Sequence, residues 1–165
     1  MKPLLALLLV PALLSAGRAP DPGMIDRLIG AWEGEGELFG RPATFSMTWS
    51  RPLGEPFARL EFENRLIQAD GTATPVLSAI AFYRAAGGDR LEGTWYDSRG
   101  EVLELRAVAT DSTLVTDWTA AGERGRTTYR LTGPDRVEVR DEVRQGEAWR
   151  AFGRATYRRS GPPGT

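Results

Sequence analysis

The sequence predicts an all-β chain folded as a single closed, up-and-down antiparallel barrel of about ten strands, with a short capping helix ahead of the first strand. The first observation behind this is the run Gly30-Ala31-Trp32-Glu33-Gly34-Glu35-Gly36. Side chains two apart on a strand share a face, so Trp32, Gly34 and Gly36 lie on one side and Glu33, Glu35 and Glu37 on the other. A wide indole followed by two vacancies suits the narrow end of a barrel, where the ring plugs the bottom and the glycines admit crossing backbone. The second observation is a period of two that persists from there almost to the end of the chain. The third is the short turn, rich in Gly, Pro and Asp, that separates each alternating run from the next. Strands joined by such turns pair with their sequence neighbours, which makes a meander.

Residues 1–17 stand apart. Lys2 supplies a positive start, Leu4 to Leu14 an apolar run interrupted by Pro11, and Ser15-Ala16-Gly17 the small residues of a cleavage site. This is the pattern of a secretory signal peptide, so export to the periplasm or the exterior is expected. The run is shorter than the roughly 20 apolar residues a membrane-spanning helix needs, and stable membrane insertion is not expected. The barrel domain is then 18–160, and 161–165, rich in Pro and Gly, reads as a frayed tail.

Within the domain, Met24 to Ile29 places Met24, Ile25, Leu28 and Ile29 at helical spacing with Asp26 and Arg27 outward, which suits a cap on one barrel end. After Gly36, Phe45, Met47 and Trp49 alternate with Thr44, Ser46 and Thr48, and Pro52-Leu53-Gly54 ends the run. Next, Ala58, Leu60, Phe62, Asn64 and Leu66 share one face against Arg59, Glu61, Glu63 and Arg65, a core face and a water face. Val76 to Arg84 is apolar on both faces, as in a strand covered inside and out. Gly87-Gly88-Asp89 reverses the chain into Leu91 to Ser98. Further strands are expected at Val102 to Thr110, Thr113 to Thr119, Gly125 to Thr132, Arg136 to Arg144 and Glu147 to Arg158.

Composition narrows the chemistry. The chain has 165 residues with no Cys and no His, so it contains neither thiolate nor imidazole. Serine–histidine–aspartate triads, His-bearing zinc sites, iron–sulfur clusters and histidine-ligated haem are excluded, and no cofactor is expected. Taking Lys2 from the 21 basic residues leaves 20 arginines against 22 acids. They are dispersed without a basic stripe, which argues against a nucleic-acid surface. Carboxylates, tyrosines and arginines remain as reactive groups.

A closed meander of about ten strands leaves a cavity unless large side chains fill it. The aromatic residues Trp49, Phe62, Tyr83, Trp95 and Trp118 are candidate cavity walls, with Trp149 as a further core aromatic. Leu91, Gly93, Trp95 and Asp97 share a face, placing a carboxylate beside an indole at a strand end. An inward Asp97 needs a partner, for which Arg84, Arg106 and Arg130 are available; alternatively Asp97 bonds the amides of the turn at Arg99-Gly100. Asn64, Glu104 and Asp117 are the other candidates for interior polar groups.

The stretch Leu28-Ile29-Gly30-Ala31-Trp32 followed by Gly34 and Gly36 resembles the G-x-W motif on the first strand of lipocalins and other calycin-type barrels, and especially the G-x-W-x-G-x-G start of nitrobindin-like barrels. Trp95-Tyr96-Asp97-Ser98 is similar to a strand in an uncharacterised family of bacterial lipocalin-like barrels. The resemblance implies a ligand-holding barrel. Nitrobindin-like proteins bind haem through a histidine near the chain end, whereas the last strand here offers Trp149, Phe152 and Tyr157, so that cofactor is not implied. Three functions remain open. One is an exported protein, monomer or homodimer, holding a small hydrophobic or amphipathic molecule through Trp49, Phe62, Asn64, Tyr83, Trp95, Asp97, Arg106 and Trp118. Another is an envelope protein–protein interaction module with a filled core. The last is a small-molecule enzyme using Asp97 or Glu104 with Tyr96 or Arg106.

Overall fold

The structure is a computed structural model that describes residues 23–161. The signal-peptide reading for 1–17 and most of the tail lie outside these residues. Helix α1 (Met24–Leu28) is followed by β1 (Gly30–Leu38), β2 (Arg41–Ser50), β3 (Phe57–Ile67), β4 (Ala73–Gly87), β5 (Arg90–Asp97), β6 (Val102–Ala109), β7 (Thr113–Ala120), β8 (Glu123–Gly133), β9 (Arg136–Gln145) and β10 (Ala148–Arg159). Each strand pairs antiparallel with the next, and β1 closes on β10, with Trp32 opposite Arg159 and Gly36 opposite Ala155. The result is a closed up-and-down barrel of ten strands.

Closure at the β1–β10 seam depends on missing side chains. A β-carbon on Gly36 would overlap the Arg154 carbonyl, so this glycine admits backbone. Gly34 makes room for a ring instead, since a β-carbon there would lie 2.8 Å from Tyr157. Trp32 is fully buried and donates its indole N–H to the Leu28 carbonyl at 2.7 Å, tying the plug to the end of α1. The Arg159 guanidinium lies 4.1 Å over the Trp32 ring. It also donates to the Ile29 carbonyl (2.6 Å) and the Arg27 carbonyl (2.9 Å), satisfying acceptors that a five-residue helix leaves unpaired. Met24, Ile25 and Leu28 turn inward beneath this lid, as their spacing requires.

One end of the barrel is therefore sealed. At the other end lie the β1–β2, β3–β4, β5–β6, β7–β8 and β9–β10 turns, which surround a mouth. The Phe39 and Ala121 turns use backbone at φ 51° and φ 48°. Two readings of side-chain direction are corrected here. The outer face of β4 is uncovered, with Ile80 and Phe82 exposed, because no second layer among the described residues packs on the barrel. Glu104 and Asp117 point outward, since β6 and β7 bury Leu103, Leu105, Ala107, Leu114 and Thr116 instead.

Candidate functional site

Behind the mouth the barrel is hollow. A cavity of about 360 Å³ extends inward between the rim residues Phe39, Arg99 and Glu123 and a floor that includes Tyr83 and Tyr129. Trp49 lies beneath that floor, stacked on Tyr83 at 5.5 Å between ring centroids and edge-on to Tyr129 at 5.7 Å. Trp49 is thus buried packing that supports the floor, and its placement as a ligand-facing wall is corrected. Phe62, Asn64, Tyr83, Trp95 and Trp118 do line the cavity. Phe62 and Trp95 pack together at 5.9 Å on one wall, while Trp118 meets Phe152 edge-on at 6.3 Å on the other.

Two further candidates fall elsewhere. Arg106 faces solvent on β6, opposite Asp117 of β7, because its neighbours Leu105 and Ala107 take the inward positions. Asp97 has a fully covered side chain, yet its oxygens are already engaged. They accept from the Trp95 indole (3.3 Å), the Arg99 guanidinium (2.7 Å) and the backbone N–H groups of Arg99 (2.9 Å) and Glu101 (3.3 Å). Burial pushes the Asp97 carboxyl up, but these bonds outweigh it and hold the group below the usual carboxylate range. Its partner is therefore Arg99 in its own turn, and Arg84, Arg106 and Arg130 play no part. Trp149 stands on the outer wall with Arg126 4.0 Å over its ring.

The most distinctive interior group is Asp141 of β9, which its charge alone does not distinguish from the other acids of that strand. Its Oδ1 accepts the Thr127 hydroxyl at 2.7 Å, and Thr127 Oγ1 in turn accepts the Trp118 indole N–H at 3.2 Å. The chain Trp118–Thr127–Asp141 lies along the cavity wall. Two glycines make space for it. Gly125 leaves a flat seat on which the Trp118 ring lies, and a β-carbon there would overlap that ring. Gly153 leaves room beside Asp141, where a β-carbon would sit 2.9 Å from Oδ2. The β9–β10 register shifts between Ala151 and Gly153, a bulge that accompanies Phe152 turning into the cavity.

Withdrawal from solvent pushes the Asp141 carboxyl up to about 6, with the Thr127 bond opposing and the neighbouring Glu142 charge adding to the rise. Burial likewise pushes the Tyr83 phenol up to about 12, and the Tyr129 and Tyr157 phenols well above their ordinary value. All three phenols hold their protons at neutral pH. Thr116 Oγ1 lies 3.4 Å from the Tyr83 hydroxyl. Asn64, only 5% exposed, presents an Oδ1 with no hydrogen-bond partner among the described residues. A clue to Asp141 was available in sequence, because Val137, Val139, Asp141 and Val143 share a face and three valines mark that face as interior.

No protein-family model matches the chain, and no curated protein matches it by sequence. The architecture is a closed up-and-down barrel of ten strands, and solved structures of that shape are similar to it. Rv2717c from M. tuberculosis matches with a TM-score of 0.62 at 17% identity, covering 82% of this chain and 94% of that one. The S-type phycobiliprotein lyase CPES from Guillardia theta matches with a TM-score of 0.53 at 10% identity, covering 84% and 91%. At these identities the likeness concerns the fold.

Proposed function

We propose that this protein is an exported carrier that holds one small, largely aromatic molecule non-covalently inside its barrel. The single observation that supports this best is the cavity, open at one end and sealed at the other, with aromatic walls and a few polar groups facing inward. Its volume of about 360 Å³ is near the lower end of the roughly 300–1,000 Å³ usual for ligand pockets, which suits a molecule of one or two rings and not a long acyl chain or a tetrapyrrole. Haem is disfavoured by the lack of histidine and by the small size of the cavity. The nitrobindin-like start of β1 is accordingly taken as a likeness of scaffold without that cofactor. The leader-like residues 1–17 support export. Native mass spectrometry of protein purified from its own host tests the carrier reading, with retention of a small organic molecule as the expected result. A protein whose cavity takes up none of a panel of one- and two-ring aromatics would overturn it.

A second reading has one observation in its favour. Ile80, Tyr96 and Val102 lie side by side on the outer faces of β4, β5 and β6 and are 43%, 50% and 61% exposed. Such a row favours an interaction surface. Sedimentation of the wild type and a Tyr96→Arg variant tests it, since a self-associating surface would be broken by the charge.

A further inference from the structure

We infer that the cavity is built for a molecule that brings hydrogen-bond donors or a positive charge, an arylalkyl ammonium or N–H heterocycle, and that it rejects carboxylate and sulfonate amphiphiles. This rests on the cavity being the binding site. Two independent observations lead to it. Asp141 Oδ1 is held by the Thr127 hydroxyl, which is itself anchored by Trp118, and no cation among the described residues faces this carboxylate. Asn64, on a different strand, offers a buried carbonyl oxygen that no donor among the described residues reaches. An unpaired buried acceptor is costly, and a ligand donor placed against it recovers what the empty protein lacks.

The sign of the interior points the same way. Arg99 is the one basic residue lining the cavity among the described residues, and Asp97 already holds its guanidinium at 2.7 Å. Glu123 adds a second acid at the rim. The groups around Asp141 are the Thr127 hydroxyl and the neutral Tyr129 and Tyr157 phenols, with Glu142 behind it in the wall, tied to Arg140 at 2.9 Å. An anion entering would thus meet Glu123 beside the paired Arg99 at the rim and then an interior carboxylate in a medium of low polarisability, where like charges repel strongly. A cation would be drawn in.

A shape-matched probe series tests this: 2-(aminomethyl)naphthalene as the ammonium, 2-naphthalenemethanol, 2-methylnaphthalene and 2-naphthoate, each followed by calorimetry and tryptophan quenching at pH 7.5. The ammonium is expected to bind about tenfold or more tightly than the naphthoate, with the alcohol between them. Asp141→Asn, nearly isosteric, should erase the preference for the ammonium while leaving the methylnaphthalene unchanged. Asn64→Leu should weaken the two donors and spare the hydrocarbon. Equal affinities across the series, or naphthoate binding tightest, overturn the donor preference while leaving the carrier intact. Absence of binding by all four overturns the carrier reading itself.

Discussion

Replacing Asp141 by Asn should make the empty protein more stable at neutral pH, although it removes a hydrogen-bonded carboxylate. Burial raises this carboxyl from 3.8 to about 6, so the folded state takes up a proton on acidification before the unfolded state does. Stability contributed by such a group is greatest below the unfolded value and declines as pH climbs through the folded one. Above about pH 6 the wild type bears the full cost of an ionised carboxylate in the barrel; below about 4 it bears none. Two pKa units at about 1.4 kcal/mol each set a ceiling of roughly 3 kcal/mol, and a group bordering an open cavity, incompletely desolvated, realises about 2 kcal/mol. Asn keeps an oxygen for the Thr127 hydroxyl and carries no charge. Urea denaturation at pH 7.5 should therefore place the variant about 2 kcal/mol above wild type, and its Tm about 6 °C higher. The gap should shrink through pH 6 and vanish near pH 4. A variant less stable than wild type at pH 7.5, or a gap that ignores pH, refutes the assignment of Asp141 as a strained interior charge.

Gly125→Ala is expected to push the Trp118 ring off its seat, break its bond to Thr127 and cost about 2 kcal/mol, read as a lower urea midpoint together with a shift in tryptophan emission. Asp97→Asn should cost about 1–2 kcal/mol at neutral pH through the β5–β6 turn and leave the affinity for an uncharged aromatic ligand unchanged, since Asp97 spends its oxygens on Arg99, Glu101 and Trp95. Its carboxyl lies below the ordinary value, so this loss should fade as wild-type Asp97 protonates in acid, the reverse of the Asp141 profile.

What was legible in the sequence was whatever a single strand and its neighbours decide. The plug formed by Trp32, the vacancies at Gly34 and Gly36, the alternation of β2 and β3 and the tight turns are local, and the strands follow them to within a few residues. Parity was harder where both faces carry apolar groups. Val102 and Val108 on the outer face of β6 balance Leu103 and Leu105 within, so the alternation did not exclude Glu104 and Arg106 from the interior. In β9 the outward series Arg136, Glu138, Arg140 and Glu142 makes one more acid look like another solvated charge, although the three valines around Asp141 place it inside.

The polar site itself depends on relations that no periodicity contains. Asp141 meets Thr127 on the next strand, Trp118 reaches Thr127 from a third, and the pocket for the carboxylate is opened by a bulge that shifts β10 against β9. Gly125 and Gly153 differ in this respect from Gly36. Gly36 is vacant so that strands can close, whereas the other two are vacant so that an indole and a carboxylate can stand where they do. Two side chains are removed and an ionised group is kept in an apolar wall at a net cost to the empty fold. A barrel required only to be stable would place valine at 141, as it does at 137, 139 and 143, so the arrangement is one that the donor-bearing ligand proposed above would account for.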